Sequence, residues 1–171
     1  IRSAILCDLD DYIVKNNLLP DFLIFSGDLV FKPNESNDSI SNFNNCFEFF
    51  IKPILDKLNL TNNDIFITSG NHDINRNILS RGDKNGLLSY KEEGIKSVNE
   101  LITEIVNKKT DLKHLIQFNQ FIHSLNNNNL ISSNDLFQVY KYNFEDSISI
   151  GIVNLNSNIL AFDDKSYGNL I

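Results

Sequence analysis

The sequence predicts an α/β fold, and three observations carry that prediction. Two short apolar runs, "DFLIFSGD" (21 to 28) and "DIFITSGN" (64 to 71), are each bounded by Asp and by Ser-Gly, and a helical pattern lies between them. Each run reads as a strand buried on both faces of a parallel sheet. Strand, crossover helix and strand form a βαβ unit, which makes the strands parallel and their connection right-handed. Both runs share one frame: an Asp, four mostly apolar β-formers, Ser-Gly, then an oxygen-bearing side chain. That frame sets Asp28 and Asn71 at equivalent positions on the two strands.

The remaining elements follow in chain order. Ile1, Ile5, Leu9 and Ile13 recur every four residues, with Ala4, Leu6 and Tyr12 widening the stripe, so residues 1 to 17 read as an amphipathic helix. Asp8 and Asp10 then lie on its solvated face. Pro20 closes the connection to the first strand, and "VFKPNESNDS" (30 to 39) is a polar loop. Ile40, Phe43, Phe47, Phe50, Ile51, Ile54 and Leu58 carry helical spacing, with Pro53 kinking or restarting the helix. The Phe-rich stripe from 43 to 50 is core packing.

Residues 76 to 92 read as polar and turn-rich. Two helical patterns follow, one through Ile95, Val98, Ile102 and Ile105, the other through Leu112, Leu115, Phe118, Ile122 and Leu125. His114 and His123 fall among them and are expected to be exposed or to cap a helix. "NNNN" (126 to 129) is a low-complexity loop. From Leu136 the period changes to two, predicting a hairpin that turns at "EDS" and runs into "IVNLNS" (152 to 157), with "FDDKSYGN" as a further loop. The expected organisation is one domain over 1–171, with a helical insertion at about 82–134.

Bulk properties narrow the function. A chain of 171 residues with 42% hydrophobic and 22% charged residues can bury one substantial core. A net charge of −7 leaves no broad basic face for nucleic acid, so nucleic acid is a possible but disfavoured partner. Cys7 and Cys46 sit in apolar helical patterns and read as buried, reduced thiols, which points to a cytoplasmic location. No apolar run is long enough to cross a membrane. The chain has no Met and begins at Ile1, so it is expected to be a fragment of a longer protein with further domains.

The chemistry gathers at the two Ser-Gly turns. In open α/β sheets ligands collect at the carboxyl ends of the strands, where both turns deliver their polar residues. Gly27 and Gly70 allow sharp turning and close approach to an ion. Hydrolysis of a phosphate ester calls for a nucleophile at neutral pH and for neutralised phosphoryl charge, both of which a pair of divalent cations supplies. Asp28 suits a bridging carboxylate, Asn71 a neutral oxygen ligand. His72 can hydrogen-bond phosphoryl oxygens or protonate the leaving group. Arg76 is either a contact to the substrate phosphate or a partner in a surface salt bridge.

"SGDLV" (26 to 30) and "SGNHD" (69 to 73) resemble the second and third signature blocks of the calcineurin-like metallophosphoesterases. The resemblance implies a β-sandwich core flanked by helices, built with βαβ units, and two divalent ions chosen among Mn, Fe, Zn and Mg. It assigns metal ligation to Asp28 and Asn71, phosphate contact and catalysis to His72, and a supporting role to Asp73. "IVNLNS" and "DDKSYGNLI" resemble, more loosely, a strand and loop of bacterial members. The family's Asp-x-His block and its late His and Gly-His-x-His blocks are not in this chain, which is expected to be a truncated or incompletely covered domain.

Three readings compete. The first is a metal-dependent phosphoesterase acting on mono- or diesters. The second keeps the fold and drops the reaction, leaving a binding or regulatory module of a larger protein. The third, a nucleotide-binding α/β domain, lacks the Gly-rich loop it needs. A turn reading also exists for "GNHD", in which Asp73 caps a helix starting near Ile74.

Overall fold

The computed structural model describes residues 2–30, 39–144 and 148–162. The "EDS" turn, "DDKSYGNLI" and most of "VFKPNESNDS" lie outside those residues. The described chain is mixed α/β, with a parallel pair of strands and an antiparallel three-stranded sheet.

Helix α1 (Arg2–Asn16) forms as its spacing predicts, with Ile5, Leu6, Leu9 and Ile13 half-buried and Asp8 and Asp10 in solvent. Asp10 pairs with Lys57. Cys7 is a correction: it lies on the exposed side of α1, because the apolar stripe runs through Ile5, Leu6, Leu9 and Ile13 and leaves position 7 outside it. Cys46 is half-buried and donates to the Leu29 carbonyl at 2.8 Å.

The crossover between β1 (Leu23–Phe25) and β2 (Ile65–Ile67) is α2 (Ser39–Cys46), a π turn over Phe47–Ile51, and α3 (Lys52–Lys57). Pro53 lacks an N–H and cannot continue a helical ladder. The chain resolves this by widening one turn, so that the Lys52 N–H reaches back to the Phe47 carbonyl, and restarting with Pro53 in the first turn of α3. Phe43, Phe47, Ile51 and Leu55 thereby stay on one face and pack with Phe118, Phe121 and Ile122 of α6 (Ile116–Ser124). Phe43 stacks on Phe121 with centroids 5.2 Å apart. Each such side chain withdrawn from water contributes about 1.5–3 kcal/mol.

Strand β2 is buried on both faces as expected. Ile65 and Ile67 face the helical layer, while Phe66 turns the other way onto Tyr140, 4.9 Å between centroids, and Phe22, 5.7 Å. Strand β1 is not: Leu23 and Phe25 meet the helices, but Ile24 is 58% exposed, since among the described residues β1 pairs with β2 alone.

The strand register also corrects the frame. Leu23 pairs with Ile65, Ile24 with Phe66 and Phe25 with Ile67, one residue away from the alignment of the two repeated segments. Side-chain parity explains the slide. Leu23 and Phe25 must share a face with Ile65 and Ile67 under the helices, and the repeated-frame register would turn one set outward. Asp28 and Asn71 are therefore not equivalent positions.

The segment read as turn-rich contains α4 (Arg81–Glu93). It is started by a capping box in which Ser80 Oγ accepts from the Asp83 N–H and the Asp83 carboxylate accepts from the Ser80 N–H. Glycines at 82 and 86 conceal the pattern without abolishing it. Helix α5 (Ile95–Val106) follows where predicted and joins a second core with Leu79, Leu87, Leu112 and Leu115. The 126 to 129 asparagines form a loop that is bonded in place: Asn127 Nδ2 donates to the Ile65 carbonyl at 3.0 Å and Asn129 Nδ2 to the Asn63 carbonyl at 2.8 Å. Strand β3 (Leu130–Ser133) then pairs with β4 (Phe137–Phe144), which pairs with β5 (Ile148–Leu155) as the expected hairpin.

Candidate functional site

The two Ser-Gly turns touch backbone to backbone. A Cβ on Gly27 would stand 2.3 Å from the Gly70 nitrogen, and one on Gly70 would stand 2.1 Å from Asp28 Oδ1. Gly27 also takes φ +107°, and Asp28 follows at φ +60°, a left-handed conformation that Asp tolerates better than most residues. The one-residue register slide is the cause: it lays Asp28 over Gly70, and only glycine fits beneath.

Asp73 binds the turns together. Its carboxylate is 1% exposed and accepts three main-chain N–H groups: Asp28 at 2.7 Å and Gly70 at 2.8 Å on Oδ2, and Val30 at 2.8 Å on Oδ1. Burial raises its pKa above the ordinary carboxylate value, against the pull of the three donors, and the neighbouring Asp28 charge adds to the rise. No helix begins at Ile74; the next helical turn is Arg76–Ile78, capped by the Asn75 side chain. Asp73 therefore serves the turns and not a helix end.

Around this hub the expected residues assemble. Asp28 is exposed, and its Oδ1 accepts the His72 N–H at 3.0 Å, which sets the carboxylate against the turn that carries Asn71. Asn71 and His72 are half-buried. Arg76 donates from Nη2 to the Asn71 carbonyl at 3.0 Å and from Nε to the Ala161 carbonyl at 2.9 Å, gripping the turn from behind.

Two of these side chains suit a hard divalent cation. Asp28 offers a solvent-facing carboxylate. The Asn71 amide nitrogen is buried with no hydrogen-bond partner, and rotating the amide by half a turn puts an oxygen in that place. Asp73 is spent on main-chain donors and adds nothing to a coordination shell. Among the described residues no group of three or more His, Cys, Asp or Glu side chains forms a metal-ligand cluster. Asp28 and Asn71 fit as part of a donor set and do not complete one.

Sequence reasoning missed a second tier of residues. Ser69 donates from Oγ to Asn156 Oδ1 at 3.0 Å, its carbonyl accepts from Asn158 Nδ2 at 2.9 Å, and the Asn75 N–H donates to the His114 carbonyl at 3.0 Å. His114 is a correction, being 1% exposed where an exposed or capping position was expected. The signal was present: Leu112, Leu115 and Phe118 bracket it with core spacing. His123 is exposed, as expected.

The partner of His114 Nε2 is the Asn158 carbonyl at 3.3 Å, which only accepts, so Nε2 carries a proton. Burial, helped by the nearby Arg76 charge, lowers the His114 pKa to about 4. A folded-state value below the unfolded 6.5 means that the unfolded chain takes up the proton first. Stability on this account is full above pH 6.5 and falls by about 3 kcal/mol as the pH drops toward 4. Asp73 and Asp135 are raised by burial, so their protonation works in the opposite sense. Urea unfolding of the native chain and of His114→Gln across that range isolates the histidine: the native slope should be the steeper. Parallel slopes would refute the assignment.

Comparison with protein-family models, with curated proteins and with solved structures returns no match. Among the described residues no helix is long and apolar enough to cross a membrane.

Proposed function

We propose that this chain is part of a metal-dependent phosphoesterase of the calcineurin-like type, with Asp28 and Asn71 as metal ligands and His72 as the residue that meets the phosphoryl group. One observation carries the reading. A single buried carboxylate, Asp73, gathers N–H groups from both turns, so that Asp28 Oδ1 comes to rest 3.0 Å from the His72 N–H at the carboxyl ends of two parallel strands. The finer fold assignment, a sandwich of two sheets flanked by helices, draws support from the aromatic seam of Phe22, Phe66, Tyr140 and Tyr142 between the sheets.

Divalent cations held there would supply an activated nucleophile and neutralise phosphoryl charge. The chain's own part is to fix an acidic and a neutral oxygen donor on a main-chain platform and to hold His72 beside them. Donors beyond Asp28 and Asn71 are required for a full shell. A second reading keeps the phosphoesterase fold for binding or regulation. The substrate class proposed is a phosphate mono- or diester, in the cytoplasm, with Mn, Fe, Zn or Mg as the metal.

The test is Mn²⁺ titration of the full chain by calorimetry, alongside hydrolysis of bis-p-nitrophenyl phosphate. Asp28→Asn keeps the left-handed backbone accessible and removes the charge. It should weaken Mn²⁺ binding by about tenfold or more and abolish any metal-dependent turnover. Metal affinity and turnover equal to the native chain would end the phosphoesterase assignment; metal binding without turnover would select the regulatory reading.

A further inference from the structure

The turn that carries Asn71 and His72 is held at both ends by residues far downstream in the sequence. At its start, Asn158 Nδ2 donates to the Ser69 carbonyl at 2.9 Å and approaches Ser69 Oγ at 3.2 Å. At its end, the Asn75 N–H donates to the His114 carbonyl at 3.0 Å. The ring closes because His114 Nε2 donates to the Asn158 carbonyl at 3.3 Å. Asn156 steadies the start of the ring, its Oδ1 accepting both the Ser69 hydroxyl at 3.0 Å and the Asn158 N–H at 2.8 Å.

Ser69, Asn75, His114 and Asn158 are each 6% exposed or less. Polar side chains at such depth cost free energy that apolar residues of the same volume would not. His114 adds to that cost, since its Nδ1 is buried with no hydrogen-bond partner. Packing alone gives no reason for them. What they have in common is that every bond just described ends on the segment from Ser69 to Asn75 or on a residue that holds it. Outer-shell groups of this kind fix the orientation of the groups that ligate or react.

We infer that Asn158 and His114 are positioning residues, a clamp that sets where the Asn71 carboxamide and the His72 ring stand toward a cation and a phosphoryl group. This rests on the phosphoesterase reading. Neither residue touches the reacting atoms; both act through the main chain of the turn.

The experiment measures Mn²⁺ affinity and urea stability of the full chain in four forms: native, Asp28→Asn, Asn158→Asp and Leu101→Ala. Asn158→Asp preserves shape but replaces the N–H donor with an oxygen facing the Ser69 carbonyl. Leu101, on α5, is buried in the same core, makes none of the hydrogen bonds of the clamp, and reports what general destabilisation does. The expected result is that Asn158→Asp loses about 10–100-fold in Mn²⁺ affinity, whereas Leu101→Ala loses stability and keeps native affinity. Should Asn158→Asp unfold, His114→Leu stands in for it, removing the donor to the Asn158 carbonyl, with the same loss of affinity expected. If Asp28→Asn weakens binding and the clamp variants bind as the native chain does, the clamp is refuted. If Asp28→Asn binds like the native chain, the underlying reading fails and the clamp with it. Equal losses of affinity in Asn158→Asp and Leu101→Ala would reduce the clamp to ordinary packing.

Discussion

Replacing Asp73 with alanine is expected to remove about 3–5 kcal/mol of folding stability and, with it, any metal affinity at the turns. The change strips the acceptor from three main-chain N–H groups, those of Asp28, Val30 and Gly70. The methyl of alanine gives them nothing in return. Water cannot easily replace the carboxylate, because the site is 1% exposed. Each buried donor left unsatisfied costs about 1–3 kcal/mol, and bonds to a charged acceptor lie toward the upper end. Against a total stability of about 5–15 kcal/mol this is a loss that urea unfolding would resolve plainly. Asp73→Asn keeps one oxygen but turns an N–H toward a donor, so it should fall between native and alanine. An alanine variant with a native unfolding midpoint would mean that the hub does not hold the turns.

The second large effect is expected at Gly27. Alanine there requires φ +107°, outside even the left-handed region that L residues visit, and its methyl would lie 2.3 Å from the Gly70 nitrogen and 2.5 Å from its Cα. Neither atom can yield, since both belong to a main chain that Asp73 pins. Backbone strain of about 1–3 kcal/mol and overpacking of similar size combine here, so Gly27→Ala should be destabilised by about 2–6 kcal/mol. Thermal unfolding of the variant is the measurement. A melting temperature within a degree or two of the native chain would show that the turns are not in contact as described.

Much of the fold was legible because its elements carry strong periodicity. The helices at 2–16, 95–106 and 116–124 and the hairpin at 137–155 follow apolar spacing of the ordinary kind. Helix 81–93 escaped because two glycines and a polar face hide its pattern, while the capping box of Ser80 and Asp83 that starts it was the overlooked cue. At the turns, the residue types were legible and their pairing was not. The repeated frame invited an alignment of Asp28 with Asn71, but strand register answers to which faces are buried, and the faces were set by Phe43, Phe47 and Phe121 far away in sequence. Asn158 was out of reach for a related reason, and so was the role of His114, whose burial alone its core-spaced neighbours could have signalled: what a buried polar residue holds is recognisable only once its partners across the fold are known.

A platform made of main chain, with glycine against glycine and N–H groups converging on one acid, has almost no side chains left to vary. Selectivity among ligands cannot be tuned there without breaking it. On the phosphoesterase reading proposed above, discrimination would fall to the segments that border the turns, so that reactivity and choice of target would be carried by separate stretches of the polypeptide and could diverge at separate rates.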